Sequence, residues 1–266
     1  MKKNVYILLF IPLLISSCIK EVEIELNDTE PKLVVEALLT DNIEPYKVKL
    51  TLLSPFFDQS GEHYITNAQV YITDDLGNTD TLYYTQNGIY ATLQNQQGMP
   101  GITYALKVIY NGEEYNATET MQPKSTIDTV SYIYNEGSAF IEEGYNVILN
   151  FQDDGSYSNY YRFSFYKNDT LQTDPFKYFV VDDIPVQGNY IIAQVPYNYQ
   201  PGDSARVELQ NITKEYYLYL TAISTQIQSS GGPFDPIPAN PPTNITNGGL
   251  GFFAVLAKDE MTIVLP

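Results

Sequence analysis

Apolar and polar side chains alternate in short stretches along most of this chain. Between Tyr46 and Leu52 the even-numbered positions are apolar apart from a tyrosine, and the odd-numbered positions are polar. A similar period of two runs through Tyr145–Phe151, and it places successive side chains on opposite faces of a β-strand. Asn87-Gly88 and Asn111-Gly112 separate such stretches, and Asn-Gly favours the tight turn of a β-hairpin. The pattern predicts a mostly β protein.

The spacing of these stretches predicts two β-rich domains. About seven short strands fit an immunoglobulin-like β-sandwich over residues 32–122. Pro123-Lys124-Ser125 is the predicted junction, and residues 126–266 are expected to form a second β-rich domain whose last strands are 249–257 and 261–265.

One segment of the second half has the period of an amphipathic helix instead. Its apolar positions, spaced by three and four residues, are Tyr216, Leu220, Ile223 and Ile227. Thr213 precedes them and is a residue type that caps helix N-termini. We therefore expect one helix at about residues 213–228.

The first residues resemble a bacterial lipoprotein signal. Lys2 and Lys3 precede an apolar run, Val5–Ile15, which is too short for a membrane-spanning helix. The run ends in Ser16-Ser17-Cys18, which is similar to a lipobox, where small side chains precede the cysteine that is lipidated. We expect a signal peptide at 1–17, lipidation of Cys18 and a tether at 18–31. The alternative is an ordinary signal peptide with an incidental cysteine.

The segment behind Cys18 and the charge of the chain bear on location and partners. Lys20 and Glu21 resemble the start of the surface-export signal of Bacteroidetes lipoproteins, although Val22 interrupts the acidic residues; a solvated tether is the other interpretation. The expected location is the outer membrane, lipid-anchored and facing the cell surface. The net charge of −18 argues against nucleic acid as a partner, because phosphates repel an acidic surface.

Candidate catalytic and metal-binding groups are few. His63 is the single histidine and Cys18 the single cysteine, so a Ser-His-Asp triad would need His63 and a zinc site is not expected. Asp153 and Asp154 are the best calcium candidates, although Asp beside Gly is also typical of turns. A glycosidase pair of carboxylates from distant loops stays open. We expect no catalytic residues, no cofactor and no metal.

Aromatic residues and two loops are the candidates for recognition. The chain has 24 Tyr, 12 Phe and no Trp, which suits packing on β-sheets and, alternatively, a surface for a glycan or peptide. Loops on a rigid scaffold often carry binding sites. The predicted docking or ligand residues lie in the loop 56–64 and the loop 229–249: Phe56, Phe57, His63, Tyr64, Phe234, Asn244 and Asn247.

Four Asp-Ser/Thr-apolar triplets resemble the O-glycosylation sites of Bacteroidetes. The acceptors would be Thr81, Thr129, Thr170 and Ser204. Four matches predict modification of at least one site, and chance in a chain rich in Asp and Thr is the alternative explanation of this short pattern.

An ordered set of segments resembles the DUF4249 lipoproteins of Bacteroidetes. The segments are 18–22, 31–37, 68–78 (AQVYITDDLGN), 101–106, 207–216 and 242–254 (PTNITNGGLGFFA). Gly251-Phe252-Phe253-Ala254 lacks the second small residue that the family usually has. The resemblance implies an outer-membrane lipoprotein that assists a TonB-dependent receptor, and it implies no reaction and no catalytic residues.

Three functional hypotheses follow. The first is a non-enzymatic surface lipoprotein that serves a TonB-dependent receptor in nutrient uptake, as a lid or a substrate-capture subunit. The second is a hydrolase that acts on glycan or peptide with carboxylates. The third is a structural or adhesive surface module.

Overall fold

The protein is mostly β, as the alternation predicts. The computed structural model describes residues 31–53, 61–138, 142–173, 178–229 and 240–266. The strands in these ranges are β1 (Leu33–Thr40), β2 (Lys47–Leu52), β3 (His63–Tyr64), β4 (Gln69–Asp74), β5 (Thr79–Gln86), β6 (Ile89–Ala91), β7 (Thr103–Tyr110), β8 (Glu113–Thr120), β9 (Ile127–Asn135), β10 (Gly144–Gln152), β11 (Tyr160–Lys167), β12 (Thr170–Leu171), β13 (Phe179–Asp182), β14 (Tyr190–Tyr199), β15 (Ser204–Ile212) and β16 (Leu250–Val264). The helix α1 spans Lys214–Gln228.

Most strands follow one another in a single hydrogen-bonded order. That order is β12-β11-β15-β16-β1-β2-β6-β5-β4-β7-β8, with β13 paired to β11 and β3 paired to β2. A second sheet has the order β14-β10-β9. The Asn-Gly pairs turn β5 into β6 and β7 into β8, and both asparagines take positive φ, 49° at Asn87 and 52° at Asn111.

Two large hydrophobic clusters fill the sandwiches. The first is mainly aliphatic, with fully buried side chains such as Val35, Val48 and Leu50, and it also takes in Ile245 and Phe253 from near the C-terminal end. The second lies between β10, with its buried Val147, Leu149 and Phe151, and the β11-β15-β16 sheet, and it is rich in aromatic rings. The predicted junction at 123–125 does not divide the clusters completely, because Ile245 and Phe253 follow the junction but belong to the first cluster.

The strand β16 joins the two clusters. It is 15 residues long; its first half pairs in parallel with β1, and its second half pairs antiparallel with β15. Gly251 has a φ of 86°, and a Cβ there would collide with the carbonyl oxygen of Val35, so this approach of β16 to β1 requires glycine. The prediction of two separate final strands was therefore wrong.

The polar run that suggested a break in β16 is paired within the sheet. Lys258 Nζ lies 3.2 Å from Glu208 Oε1 on β15, and its main-chain nitrogen donates to Asp41 Oδ1 at 2.9 Å. Because these polar groups have partners, the strand continues through them without a turn.

The helix prediction is confirmed. Thr213 caps α1, and its Oγ1 accepts a hydrogen bond from the Tyr216 N–H at 3.3 Å. Leu220 is buried and packs with Ile212 and Leu256. In the described ranges, no helix has the length and apolar character that crossing a membrane would need.

Candidate binding groove

An open groove lies between the first sandwich and the helix. We call it the aromatic groove; it has a volume of about 390 Å³. One wall consists of rings on α1, β16 and the start of the β13 segment, namely Tyr216, Tyr219, Phe252 and Tyr178. The Phe252 ring lies 5.1 Å from both Tyr216 and Tyr219, and the two tyrosine rings are nearly parallel at 6.0 Å. Because Leu220 anchors the helix from below, the rings are held at the groove.

The floor of the groove is the outer face of four neighbouring strands. Phe252, Glu36, Lys49 and Ile89 lie side by side across β16, β1, β2 and β6. Residues in register point to the same face of a sheet. Their sequence neighbours, such as Val35, face the first core instead. The alternation that builds the core therefore also builds the floor.

The charges on the floor are paired with each other. Lys49 Nζ lies 2.9 Å from Glu62 Oε2 and 3.6 Å from Glu36 Oε2. The hydrogen bond with Glu62 is the main reason that the pKa of Lys49 is raised. Glu44, at one end of the groove, accepts a hydrogen bond from Thr40 Oγ1 at 2.9 Å. The groove thus presents groups of both signs beside apolar rings.

Two wall tyrosines, Tyr216 and Tyr219, remain neutral at physiological pH. Burial raises the pKa of Tyr219 to about 12, and burial is likewise the main reason that the pKa of Tyr216 is raised. The Arg162 guanidinium lies 5.7 Å from the centre of the Tyr178 ring. Neutral phenols can donate and accept hydrogen bonds while their rings cover an apolar face, so the arrangement suits binding of a ligand with apolar faces and polar edges.

Two of the predicted docking residues lie next to this floor. His63 and Tyr64 form β3, which pairs with β2. The ring of Tyr64 is 42% exposed, and Lys49 Nζ lies 5.8 Å from its centre. The predicted docking loop 56–64 therefore includes residues at the edge of the groove but none of the residues of its wall.

The other described docking candidates have structural contacts. Asn244 holds the backbone of Phe253: its Oδ1 accepts from the Phe253 N–H at 3.0 Å, and its Nδ2 donates to the Phe253 carbonyl at 2.8 Å. Asn247 takes a turn conformation with φ 56°. Cys18, Phe56, Phe57 and Phe234 lie outside the described residues.

The remaining predicted sites are dispersed over the surface. Thr81, Thr129 and Thr170 are exposed on β5, β9 and β12, and Ser204 is half-buried at the start of β15. Glycosylation at these positions stays a prediction.

The two calcium candidates differ in their surroundings. Asp153 is 2% exposed, whereas the Asp154 carboxylate faces solvent and accepts from Ser156 N and Oγ at 3.0 and 2.6 Å. These bonds with Ser156 lower the pKa of Asp154. Across the residues that the structure describes, no three Asp, Glu, His or Cys side chains converge as metal ligands.

Sequence reasoning missed the wall of the groove. The available signal was the density of tyrosine on the only predicted helix, where positions 216, 217 and 219 are all tyrosine. Phe252 gave no signal of its own, because Phe252 and Phe253 are adjacent, are both buried and differ only in the face of the sheet that they present.

Comparison with known proteins adds a family. The model of a domain of unknown function, DUF4249, matches residues 19–262. The chain belongs to the DUF4249 family. Every strand and the helix of this DUF4249 protein lie within the matched segment, apart from the last residues of β16.

The comparisons with curated proteins and with solved structures identify no further relationship for this chain. None of the curated proteins matches the chain. Among solved structures, the chain is similar to a segment of two fibronectin type III domains from chicken tenascin, with 13% identity over 68% of this chain and 90% of that chain and a TM-score of 0.22.

Proposed function

We propose that this protein is a lipid-anchored, non-enzymatic binding protein of the outer membrane. In this proposal it is an accessory subunit of a TonB-dependent receptor in nutrient uptake, and the aromatic groove captures the ligand. The supporting observation is the groove itself, which combines four aromatic side chains with paired charges on a sheet-built floor. The lipobox-like sequence ending at Cys18 and the DUF4249 resemblance support the membrane location and the partner class.

A rigid floor favours recognition over chemistry at this site. The four strands of the floor are fixed by the first core, so binding would cost little ordering of the protein. Lys49 Nζ lies between Glu62 and Glu36, at 2.9 and 3.6 Å, so its charge is already paired in the unbound groove. A ligand with hydroxyl or amide edges, such as a glycan or a peptide, could exchange hydrogen bonds with Glu36 and Lys49.

Capture from membranes in mild detergent tests both halves of the proposal. Tagged wild type, a Tyr216→Ala/Tyr219→Ala variant and a Leu218→Ala control would be purified, and bound receptor and small molecules identified by mass spectrometry. Leu218 is on the same helix but is 46% exposed and does not line the groove. We expect the receptor with all three proteins and the ligand only with wild type and the control. Wild type recovered without a receptor would count against the partnership.

The anchor has its own test. A Cys18→Ser version should leave the membrane fraction, because one or more acyl chains supply the anchoring. Retention of this version in the membrane, or a mature amino terminus elsewhere than Cys18, would contradict the proposed location.

A carboxylate hydrolase is the second candidate, because two acids, Glu36 and Glu44, line the same groove. Glu36→Gln and Glu44→Gln would then each abolish cleavage of a glycan or peptide that the wild type cleaves. Unchanged turnover in both variants would remove this candidate.

A further inference from the structure

Two buried carboxylates lie at one end of the second core, and no Lys, Arg or His among the described residues forms an ion pair with them. Asp153 follows β10 and is 2% exposed, and Asp183 follows β13 and is 1% exposed. The ion pairs of the described residues involve other acids. A buried carboxylate needs compensation, because removing its charge from water is costly.

Hydrogen bonds compensate Asp153 more completely than Asp183. Asp153 Oδ1 accepts from the Tyr161 hydroxyl at 2.5 Å, and its Oδ2 accepts from the Gly188 N–H at 2.7 Å. Asp183 Oδ2 accepts from the Asn159 N–H at 2.7 Å. Asp183 Oδ1 is buried and has no hydrogen-bond partner within the described part of the chain. One oxygen of this carboxylate is therefore left for another ligand.

Four oxygens from four residues surround one nitrogen between these carboxylates. Asn159 Nδ2 lies 2.8 Å from the Asp154 carbonyl and 3.1 Å from the Tyr157 carbonyl. It also lies 3.4 Å from both Asp153 Oδ1 and Asp183 Oδ2. An amide nitrogen carries two hydrogens, so it cannot satisfy all four oxygens. The surplus of oxygens over donors is what a hard cation requires.

We propose that this end of the second sandwich binds a divalent cation, with Ca²⁺ as the best fit. The ligands would be the Asp153 and Asp183 carboxylates, the main-chain carbonyls of Asp154 and Tyr157, and the Asn159 side-chain oxygen after rotation of its amide. Two carboxylates balance the charge of the ion. Calcium accepts carboxylate, amide and carbonyl oxygens in irregular geometry, whereas magnesium demands a near-ideal octahedron.

A pocket lies next to this cation site and reaches one of the proposed ligand residues, Asn159. It has a volume of about 200 Å³ and is lined by Ser158, Asn159 and Tyr160 among others. An ion could enter there, and water could fill coordination positions that the protein leaves open. The site differs from the pair suggested by the sequence, because the Asp154 carboxylate is turned toward Ser156 and Asp183 takes its place.

Thermal unfolding of the full chain in mild detergent tests the site. After treatment with EDTA and dialysis, the melting temperature would be measured with and without Ca²⁺, with Mg²⁺ as a comparison. At a Ca²⁺ concentration of 100 times the dissociation constant we expect a rise of about 5 to 10 °C. Asp183→Asn should abolish the rise, and Asp182→Asn, the matched control one position from Asp183, should keep it, because the Asp182 carboxylate accepts from the Ile184 N–H and the Tyr217 hydroxyl instead.

Terbium emission gives a readout that does not depend on stability. Tb³⁺ is a Ca²⁺ surrogate, and emission sensitised by the Tyr161 ring would report an ion next to Asp153 because the two side chains are in contact. We expect emission that Ca²⁺ displaces and that Asp183→Asn, but not Asp182→Asn, removes. A wild-type melting temperature unchanged by Ca²⁺, or terbium emission that survives Asp183→Asn, would overturn the proposal.

Discussion

The first and second hydrophobic cores are stabilised in different ways. The first is dominated by aliphatic side chains with little contact to water, such as Val35, Val70 and Val108. The second contains a chain of ring contacts, including Phe151 with Tyr161 at 5.2 Å and Phe165 with Phe179 at 5.5 Å. It also buries the polar groups Asp153, Asn159, Asp183 and Asn211 at its edges. Ser164, Glu208 and Gln210 are buried on the opposite face of the same sheet, where they bond to one another.

The difference indicates where substitutions are tolerated. Aliphatic burial is non-directional, so the first core depends mainly on volume. Buried polar groups depend on specific partners, and a lost partner leaves the full cost of desolvation. The second core should therefore be the more sensitive one to changes that conserve volume but remove a hydroxyl or an amide.

The largest expected effect is the loss of stability when one large buried side chain in each core is truncated to alanine. Phe151→Ala should lower the free energy of unfolding by about 3 to 5 kcal/mol, and Leu50→Ala by about 2 to 5 kcal/mol, because both side chains are fully buried. Since β16 joins the cores, we expect one unfolding transition in urea for both variants, measured by circular dichroism and by tyrosine fluorescence. Two separate transitions, each sensitive to one variant, would show that the cores unfold independently.

The contact between the two halves should depend on pH through Glu119. This residue of β8 is 8% exposed and bonds to Thr213 and Asn244, and burial raises its pKa to about 7. The folded protein therefore binds this proton more tightly than the unfolded chain, and stability falls as pH rises from about 4.5 to about 7. Glu119→Gln should remove that loss. The free energy of unfolding of the variant minus that of the wild type should therefore increase by about 3 kcal/mol between pH 4.5 and pH 7.

A matched control lies on the same strand. Glu114 is at the exposed end of β8, and hydrogen bonds from Asn116 and then Lys107 lower its pKa. The ionised Glu114 carboxylate stabilises the folded protein when the pH is above the pKa of this group in the unfolded chain. Glu114→Gln should therefore be slightly less stable than wild type at pH 8 and as stable as wild type at low pH. Unfolding curves at pH 5 and pH 8 check both signs, and a Glu119→Gln effect that does not vary with pH would contradict the assignment.

The smallest expected effect is the loss of stability when one of two buried tyrosine hydroxyls is removed. Tyr161→Phe removes a donor to the Asp153 carboxylate and should cost about 2 kcal/mol. Tyr90→Phe in the first core removes hydrogen bonds to neutral main-chain groups of Ile65 and Ala68 and should cost about 1 kcal/mol. Equal losses in urea unfolding would mean that the charge of Asp153 is compensated by other groups.

Local patterns were enough to predict the class and several elements of this fold. The Asn-Gly turns, the alternation of β2 and β10 and the helix with its Thr213 cap all follow from contacts between residues close in sequence. The domain junction at Pro123-Lys124-Ser125 stays a prediction.

Long-range pairing was the part that the sequence could not determine. Val34 is in register with Leu250, and nothing in either segment specifies the other. The same holds for Asp153 and Asp183, which meet only because two loops pack at Asn159. The aromatic groove was missed for this reason too, since Phe252 and Tyr216 come together only after β16 has paired with β1.

The parallel pairing of β1 with β16 would also affect folding during the export that we propose. Because β1 must wait for a strand more than roughly 200 residues downstream, closing that loop makes formation of the first sheet slow. A chain that crosses a membrane amino terminus first would keep its early strands incomplete until late in translocation. This delay would keep the polypeptide unfolded enough to pass through a translocation channel. Compaction would then follow only after nearly all of the chain had emerged.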